Sequence, residues 1–567
     1  MSEEERARPP KKKRPRREPT LDPEIASPDP EIGSRDPEIA SPDVLEAEPP
    51  RDPDETLAQS FRAYVAGRPL SIDGARILGL LIPALLLGVN MLRVQSYTVD
   101  DSYISFRYAR NLARGLGLVY NPGERIEGYT NFLWTLILAL AIKLGLDPVL
   151  VAKLLGATSA FAALFLTYAI GARLRPYRSA PAVAPWLLAS TVVFSGYAVF
   201  GLETSFFVAL VLGGTLLFLR EVGPLFQGAP IAEAPTSRAF PWSGLLFALA
   251  GLTRPEAPLF LGLLMLFLGR RFFARQNLLR AAIFIAPLLA HLAFRRAYYG
   301  AWVPNTLGAK TGNLQGQLVG GWAYLHNYLV HGGPLIWLAL IGVAVGLVQR
   351  RRDIVAIATI TITFAGYIVL IGGDWMSLFR FMAPFEPFCF LLIDVGVRWA
   401  LDRRERITLV AFTLFALGAS VDRWITLRES QTFLLAKEKR FWEQAGKGTA
   451  RWLLQNDKPG LIAMGDIGYV GWETDYPILD LLGLVDPVIA RLPGGYTQKL
   501  GPGFLERFFS QDPRYFLLIS SALDCQHPSV IGSTIVYNDP RFRERYEIGG
   551  RVPLDAGFAW CVYQRKP

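Results

Sequence analysis

Histidine, cysteine and charged residues are scarce in this chain of 567 residues. No zinc-ligand spacing links the four histidines, which are His291, His326, His331 and His527. Three cysteines are too few for a disulfide framework. The sequence also has no Gly-x-x-x-x-Gly-Lys-Ser/Thr loop to hold a nucleotide phosphate, which argues against ATP-driven work. Only 19% of the residues are charged, against 51% hydrophobic, so a large part of the chain has no polar face to turn to water.

Long apolar segments occupy the region from about Ile77 to Asp422, separated by short Arg-rich loops. Runs of this length and number cannot all form the core of one soluble domain, so they predict a polytopic membrane protein that is mainly α. We predict about 11 spanning helices: 77–94, 150–172, 183–200, 204–220, 242–253, 257–269, 278–297, 334–348, 353–371, 381–398 and 407–424. The transmembrane domain accordingly extends over 77–424.

The distribution of arginine predicts which side each loop faces. Cytoplasmic loops carry an excess of Lys and Arg. After the first span, alternate loops face the same side of the membrane, and the loops of one side carry 16 Arg. The short loops of the other side, from Gly201 onward, carry only Arg254, Lys310 and Arg380. This bias requires 132–142 to be a juxtamembrane helix, and it divides 242–269 into two helices that meet at Arg254-Pro255-Glu256. It places the N-terminus in the cytoplasm, and residues after about Asp422 outside.

Both flanks of the apolar region are polar. Residues 1–60 contain a basic cluster, Lys11 to Arg17, and a proline-rich seven-residue repeat, and they predict a disordered cytoplasmic tail. The cluster could contact nucleic acid, but before a membrane helix we favour anionic membrane lipids and expect no nucleic-acid partner. Residues 430–567 predict an extracytoplasmic α/β domain, with strands at 461–464, 476–479, 515–519 and 558–563 and helices around 436–455 and 502–510.

Three aspartates and two cysteines of this C-terminal domain are notable. Asp466, Asp480 and Asp486 lie at strand ends or turns, where turn formation is their expected role and acceptor binding the alternative. A bridge between Cys525 and Cys561 is compatible with an extracytoplasmic domain. Cys389 lies in an apolar run and behaves as a small hydrophobic residue.

Nearly every concentrated polar motif falls on the predicted outer face. The first outer loop, 96–148, starts with Asp100 and Asp101 and continues with an amphipathic stretch whose Arg107, Arg110 and Arg114 form a basic face suited to phosphate headgroups. The other loops of this face contribute Arg254 and Glu256, Asn305 and Lys310, and Asp374 and Arg380. Taken singly, each motif fits a solvated helix boundary, a structural shelf or a snorkelling cation. Together they provide a carboxylate that can activate a hydroxyl and cations that can stabilise a departing phosphate.

Several of these motifs resemble a known family. The string Asp100-Asp101-Ser-Tyr-Ile-Ser-Phe-Arg-Tyr-Ala-Arg-Asn-Leu, and Gly117 to Trp134 after it, is similar to bacterial GT-C glycosyltransferases. The group in question contains the mycobacterial terminal arabinofuranosyltransferase and its proteobacterial relatives. Later motifs resemble it as well: Leu252 to Glu256, Tyr298 to Asn305, Gly372 to Met376, Met464 to Gly468 and Asp480 to Pro487.

The resemblance implies an inverting glycosyltransferase of the bacterial cytoplasmic membrane. Its donor would be a polyprenyl-phosphate-linked sugar and its acceptor an extracytoplasmic glycan or lipid, with Asp100 or Asp101 as general base. The phosphate would be held by Arg107, Arg254, Lys310 and Arg380, with Glu256, Asn305 and Asp374 as further site candidates. The resemblance assigns no definite cofactor, and a divalent metal is compatible with the site. Two other functions remain open, a transporter or flippase of lipid-linked glycans and a non-catalytic scaffold.

Overall fold

The computed structural model describes residues 76–175, 182–223, 240–311, 313–402, 425, 429, 435–455, 458–496, 498–554 and 557–567. The predicted tail at 1–60 and the predicted span at 407–424 lie outside these residues. So do Arg178, Arg238, Arg403, Arg404 and Arg406, which contributed to the arginine bias.

The membrane region is a bundle of helices. In chain order these are α1 (Ile77–Val94), α2 (Asp100–Ala113), α3 (Phe132–Lys143), α4 (Pro148–Leu174), α5 (Ala184–Ala189), α6 (Val192–Tyr197), α7 (Thr204–Glu221), α8 (Trp242–Thr253), α9 (Ala257–Leu266), α10 (Arg275–Tyr299), α11 (Asn305–Lys310), α12 (Leu314–His331), α13 (Ala339–Val348), α14 (Arg352–Ile371) and α15 (Phe385–Asp402). Buried phenylalanines join the helices at the centre of the bundle, where Phe260 contacts Phe207, Phe364 and Phe388.

Five of these helices, α1, α4, α7, α10 and α14, are long and apolar enough to cross a membrane. Each coincides with a predicted span. A sixth crossing results if α12 and the segment Leu335–Val348, which bend by 92° at the break between them, count as one. The chain is therefore a multi-pass membrane protein, as its composition predicts.

Two of the predicted spans have a different form. Residues 183–200 are not one continuous helix, because α5 ends at Ala189 and α6 begins at Val192. Thr191 divides them: its hydroxyl accepts a hydrogen bond from the amide of Phe194 and donates one to buried Glu386. The segment 334–348 begins as a 3₁₀ turn, and the sequence analysis missed α12, whose Gln and Gly residues weaken its apolar pattern.

The interrupted segment near Arg254 folds as expected. Helix α8 ends at Thr253 and α9 begins at Ala257, and Arg254 between them has an extended backbone. Pro255 ends α8 because the residue before a proline is disfavoured in helical conformation. Helix α3 confirms the predicted helix at 132–142.

The C-terminal domain is a five-stranded sheet flanked by helices. A helical segment, Leu435–Glu438, and a π turn, Lys439–Gln444, lead into this order of elements: α16 (Ala445–Gln455), β1 (Ile462–Met464), α17 (Gly468–Thr474), β2 (Ile478–Asp480), α18 (Pro487–Ala490), α19 (Pro502–Gln511), β3 (Tyr515–Ser520), α20 (Ile531–Asn538), α21 (Pro540–Arg545), β4 (Tyr546–Pro553) and β5 (Ala559–Arg565). The strand order is β2-β1-β3-β5-β4, with the first three strands parallel and the last two antiparallel to their neighbours. The four predicted strands are confirmed, and β4 was missed because its Gly-Gly-Arg centre breaks the apolar pattern.

A disulfide links Cys525 to Cys561, a pairing that the sequence left open, while Cys389 is buried and unbridged. The disulfide connects the loop after β3 to β5. The sheet packs two aromatic-rich faces: one against α19 and α21, and the other toward α16 and the 96–148 loop.

Candidate functional site

The basic face of α2 contacts the C-terminal domain. Arg107 is fully buried, and its guanidinium donates to the carbonyls of Tyr120, Gly471 and Tyr476. Arg110 and Arg114 both form ion pairs with Asp475, which follows α17. This face therefore joins the 96–148 loop to the C-terminal domain. Its amphipathic pattern had instead indicated contact with lipid headgroups.

Two glycines allow α17 to approach α2 closely. A Cβ atom at Gly468 would collide with the backbone carbonyl and the carboxylate of Asp100. One at Gly471 would collide with the hydroxyl of Tyr120 and come within 2.8 Å of the Arg107 guanidinium. The contact between the two regions thus depends on the absence of side chains at these positions.

We expect Gly468→Ala to destabilise the protein by about 1–3 kcal/mol, because added atoms in a packed contact force backbone shifts. Thermal unfolding in detergent would show this as a lowered melting temperature. Gly366→Ala is the matched control, since a Cβ there meets nothing within 4 Å. Equal melting temperatures for the two variants would contradict the close contact.

The two adjacent aspartates of α2 face different surroundings. The carboxylate of Asp100 accepts hydrogen bonds from the amides of Gly468 (2.9 Å) and Tyr469 (2.7 Å), at the start of α17. Asp101 is half-buried and has no hydrogen-bond partner in the part of the chain that the structure describes. Asp100 therefore joins two parts of the fold, whereas Asp101 presents a free carboxylate.

Cations and a second acid surround Asp101. Burial raises the pKa of Asp101, and the positive charges of Arg380 and Lys310 oppose that rise. The Nε atom of Arg380 lies 2.8 Å from Asp374 in an ion pair, and the guanidinium of Arg380 forms no hydrogen bond among the described residues. Desolvation of the ammonium group lowers the pKa of Lys310, although the residue as a whole is exposed, and the ammonium forms no ion pair within 4 Å in the described ranges. Two cations with unused donors thus accompany the free carboxylate.

Lys310 is positioned by Asn305 at the other end of α11. The Asn305 side chain donates to the carbonyls of Gly483 (2.8 Å) and Leu484 (3.0 Å), and the backbone N–H of Asn305 donates to the carbonyl of Glu127. These contacts fix the short helix to both the C-terminal domain and the 96–148 loop. Asn305 consequently anchors the helix that carries Lys310.

Arg254 lies in a buried triad of charges. Its guanidinium bonds Glu203 at 2.8 Å and Glu256 at 2.8 Å, with all three side chains almost inaccessible to solvent. Glu203 also accepts from Asn131, and although burial raises the pKa of Glu203 most, Arg254 and Arg380 hold it below its usual value. Sequence reasoning missed Glu203. The signal was a lone acid between two apolar runs, on the same predicted side as Arg254.

The three C-terminal aspartates differ in their hydrogen bonding. Asp480 accepts from the amides of Leu482 and Val485, and Asp486 caps α18 and pairs with Arg507, so both stabilise turns as expected. Asp466 follows β1 and has no hydrogen-bond partner in the described residues. Burial and the charges of Asp100 and Asp101 raise the pKa of Asp466 well above its usual value.

Tyr496 is a further residue that the sequence did not indicate. The Lys310 ammonium lies 5.2 Å from the centre of its ring. Burial and the negative charges of Asp101, Asp480, Asp466 and Asp374 raise the pKa of its hydroxyl. The structure therefore brings together Asp101, Lys310, Arg380, Asp374, Asp466 and Tyr496, which we call the acid–cation cluster. No three His, Cys, Asp or Glu side chains of the described residues are arranged to hold a metal ion.

Comparison with known proteins places these features in a broader context. Residues 437–563 match the family model of a domain of unknown function, DUF8728. Terminal β-(1→2)-arabinofuranosyltransferase of Mycobacterium tuberculosis is 31% identical over 276 residues, which are 45% of this chain and 42% of that protein. The enzyme of the same name from Corynebacterium glutamicum is 28% identical over 353 residues, 52% of this chain and 48% of that protein. The chain thus spans less than half the length of the curated relatives it matches.

A solved structure extends the likeness over most of the fold. ArnT from Cupriavidus metallidurans, crystallised with undecaprenyl phosphate, aligns with a TM-score of 0.50 at 12% identity. The alignment covers 87% of this chain and 98% of that one. At this identity the match concerns the fold alone. The chain has the GT-C fold with a C-terminal α/β domain, and it resembles bacterial terminal arabinofuranosyltransferases over about half of its length.

Proposed function

We propose that the protein is a glycosyltransferase that moves a sugar from a polyprenyl-phosphate donor to an extracytoplasmic acceptor of the cell envelope. The observation that carries this proposal is the free carboxylate of Asp101, placed among the unused donors of Lys310 and Arg380. A hydroxyl group and a phosphate bound together at this point would meet a base and two cations. The similarity to enzymes named arabinofuranosyltransferases supports the same reaction class.

The reaction is a single displacement at the anomeric carbon. The acceptor oxygen forms a bond to that carbon and its proton passes to Asp101. The bond between the anomeric carbon and the phosphate oxygen breaks, and the polyprenyl phosphate leaves with the electron pair. One displacement inverts the configuration of the sugar.

Lys310 and Arg380 bind the donor phosphate and stabilise the charge that develops on it. Asp374 orients Arg380 through its Nε atom and leaves the terminal nitrogens for phosphate oxygens. Arg107 and Arg254 act differently in this proposal. Arg107 joins the loop to the C-terminal domain, and Arg254 compensates Glu203 and Glu256 within the wall of the site.

The proposed enzyme lies in the bacterial cytoplasmic membrane with the cluster on the outer side. Residues 1–60 form a cytoplasmic tail, 77–424 the transmembrane domain and 430–567 the extracytoplasmic domain. The disulfide between Cys525 and Cys561 supports this orientation, because such bonds persist in oxidising compartments.

We expect Leu523→Cys to be labelled in intact cells by a membrane-impermeant thiol reagent, and Phe273→Cys to be labelled only after lysis. Both positions are exposed, and they lie on opposite predicted sides. The native cysteines add little background, since two are bridged and Cys389 is buried. Labelling of Phe273→Cys in intact cells, with protection of Leu523→Cys, would reverse the orientation.

The function itself can be tested on the protein purified in detergent. Native mass spectrometry should detect a co-purifying polyprenyl-phosphate lipid, whose mass also shows whether a pentose or a hexose is attached. Transfer is then assayed with radiolabelled polyprenyl-phosphate arabinofuranose, chosen from the names of the relatives, and with a donor of the sugar class that the mass shows. Absence of both a bound lipid and any transfer would refute the proposal.

The pH dependence of transfer should show a base with a raised pKa. Because Asp101 must be ionised to accept a proton, the rate should fall as pH decreases, with a midpoint above the usual aspartate value of about 4. Lys310→Met removes a charge that lowers the pKa of Asp101, so the midpoint of its residual activity should move to higher pH. Lys447→Met, at a surface ion pair, should leave the midpoint unchanged. An unchanged midpoint in Lys310→Met would contradict the assignment.

The transporter or flippase alternative needs polar residues at mid-membrane depth that are available to a substrate. Three buried charges do lie in α15, which are Glu386, Asp394 and Arg398. Arg398 pairs with Asp394, whose carboxylate also accepts from the amide of Val183, while Glu386 accepts from Thr191 and Tyr328. Because these groups are engaged with the bundle itself, they favour a structural role.

A further inference from the structure

A cavity of about 300 Å³ lies beside the acid–cation cluster, mostly within the C-terminal domain. This volume is at the lower end of the range for small-molecule pockets, about 300–1,000 Å³. Aromatic side chains form much of its wall: Trp375, Trp442, Tyr496, Phe558 and Trp560. The three indoles follow one another, with ring centroids 5.8 Å apart between Trp375 and Trp442 and 6.2 Å apart between Trp442 and Trp560.

The position of the cavity in the sheet is typical of a ligand site. From β1 the chain passes to β2 on one side of it, and then to β3 on the other side, so the strand order reverses at β1. Open sheets of this kind bind ligands beyond the carboxyl ends of the strands at the point of reversal. Asp466, which follows β1 directly, lines the cavity at that point.

Three polar groups of the cavity wall form no hydrogen bond with the residues that the structure describes. The carboxylate of Asp466 and the hydroxyl of Tyr496 form no hydrogen bond among the described residues. The indole N–H of Trp560 is unpaired too, although that side chain is only 4% exposed. A buried donor without a partner costs about 1–3 kcal/mol, so a ligand that accepts a hydrogen bond from the Trp560 indole would be stabilised.

The chemistry of the wall selects the class of ligand. Broad aromatic faces suit the apolar C–H faces of a sugar ring, and the unpaired acceptor and donors suit its hydroxyl groups. An anion would find no available cation in the described wall, because the Lys499 ammonium is occupied by the carbonyls of Ala490 and Leu492. A purely apolar chain would leave the three polar groups unsatisfied.

The cavity and the acid–cation cluster share residues. Asp466 and Tyr496 line the cavity, and the charge of Asp101 acts on both. Trp375 is adjacent in sequence to Asp374, which pairs with Arg380. A molecule in the cavity would therefore lie next to the proposed base.

We propose that this cavity binds a neutral sugar residue of the acceptor glycan and presents its neighbouring hydroxyl to Asp101. The proposal rests on the proposed glycosyltransferase function. It assigns acceptor recognition to the domain of unknown function, since Trp442, Asp466, Tyr496, Phe558 and Trp560 all fall within residues 437–563. Trp375, from the loop before α15, completes the wall.

Binding is tested without any donor lipid. The full chain in detergent is titrated with neutral pentose and hexose tetrasaccharides and with an anionic tetrasaccharide, and binding is followed by tryptophan fluorescence and saturation-transfer NMR. A neutral tetrasaccharide should bind, and Trp375→Ala and Asp466→Asn should each weaken that binding at least tenfold. Trp375 is 43% exposed, so its truncation leaves the fold intact, and Trp375→Phe should recover part of the affinity.

Two exposed residues provide matched controls. Trp322→Ala on α12 and Asp524→Asn near the disulfide should bind as the parent does. Asp101→Asn should also keep sugar affinity, so that loss of transfer and loss of acceptor binding are separate results. No binding of any neutral tetrasaccharide, unchanged affinity in both cavity variants, or preference for the anionic sugar would overturn the proposal.

Discussion

Replacing Asp101 by asparagine should lower sugar transfer by about 10²–10⁴-fold, the usual contribution of a general base. The amide has the size of the carboxylate but cannot accept a proton. Because Asp101 has no hydrogen-bond partner among the described residues, its replacement removes no contact that supports the fold. Donor binding should persist, since under the proposed function the phosphate is held by Lys310 and Arg380.

The neighbouring Asp100 provides a matched control for this variant. Asparagine at position 100 cannot accept from the amides of Gly468 and Tyr469 equally well, because one carboxylate oxygen is replaced by a donor. Loss of a charged hydrogen bond costs about 1.5–3 kcal/mol, so Asp100→Asn should lower the melting temperature. Its effect on transfer, measured at a temperature where it remains folded, should be much smaller than that of Asp101→Asn.

Both variants and the double variant are assayed with the radiolabelled polyprenyl-phosphate donor, and donor retention is checked by native mass spectrometry. Near-parental transfer by Asp101→Asn would eliminate it as the base. If Asp100→Asn instead abolished transfer without loss of stability, the two roles would be exchanged.

The second large effect is expected at Arg254. Arg254→Ala leaves Glu203 and Glu256 buried without their shared cation, and breaking a buried ion pair in this way costs about 3–5 kcal/mol. The melting temperature in detergent should therefore fall more than for any other variant considered above. Arg565→Ala is the control, because Arg565 and its partner Asp512 are both largely exposed and a surface pair is worth at most about 1 kcal/mol.

Neutralising the acids should reverse part of this loss. The triple variant Arg254→Ala, Glu203→Gln, Glu256→Gln contains no buried charge in the triad and should melt above Arg254→Ala. If the triple variant were no more stable than Arg254→Ala, uncompensated charge would not be the cause of the loss. Equal melting temperatures for Arg254→Ala and Arg565→Ala would contradict the buried triad itself.

The C-terminal domain has a different part in the site from the one its sequence indicates. The sequence pattern, with short strands between Gly, Pro and Asp residues, is typical of a separate soluble domain. In the structure it clamps the 96–148 loop through Arg107, supports α11 through Asn305 and contributes Asp466 and Tyr496 to the cluster. Under the proposed function it carries acceptor recognition, while the helical bundle binds the donor.

The sequence by itself determined the class of protein and the position of most elements. Apolar length alone defines α1, α4, α7, α10 and α14, because a lipid bilayer requires about 20 apolar residues per helix. Short apolar runs define four of the five strands, and the proline after Arg254 defines the break between α8 and α9. These features are local, so composition and spacing suffice to predict them.

Only the tertiary structure decided which polar residues meet. Successive residues of an α-helix point about 100° apart. Asp100 therefore faces α17, while Asp101 faces Lys310 and Arg380. No sequence pattern distinguishes the two aspartates. For the same reason Arg107, although part of a basic helical face, is used by carbonyls of the C-terminal domain. Glu203 joins Arg254 from a different loop, and Tyr496 joins Lys310 across nearly 190 residues. Contacts between distant segments depend on how helices rotate and pack against each other, which spacing within one segment does not encode.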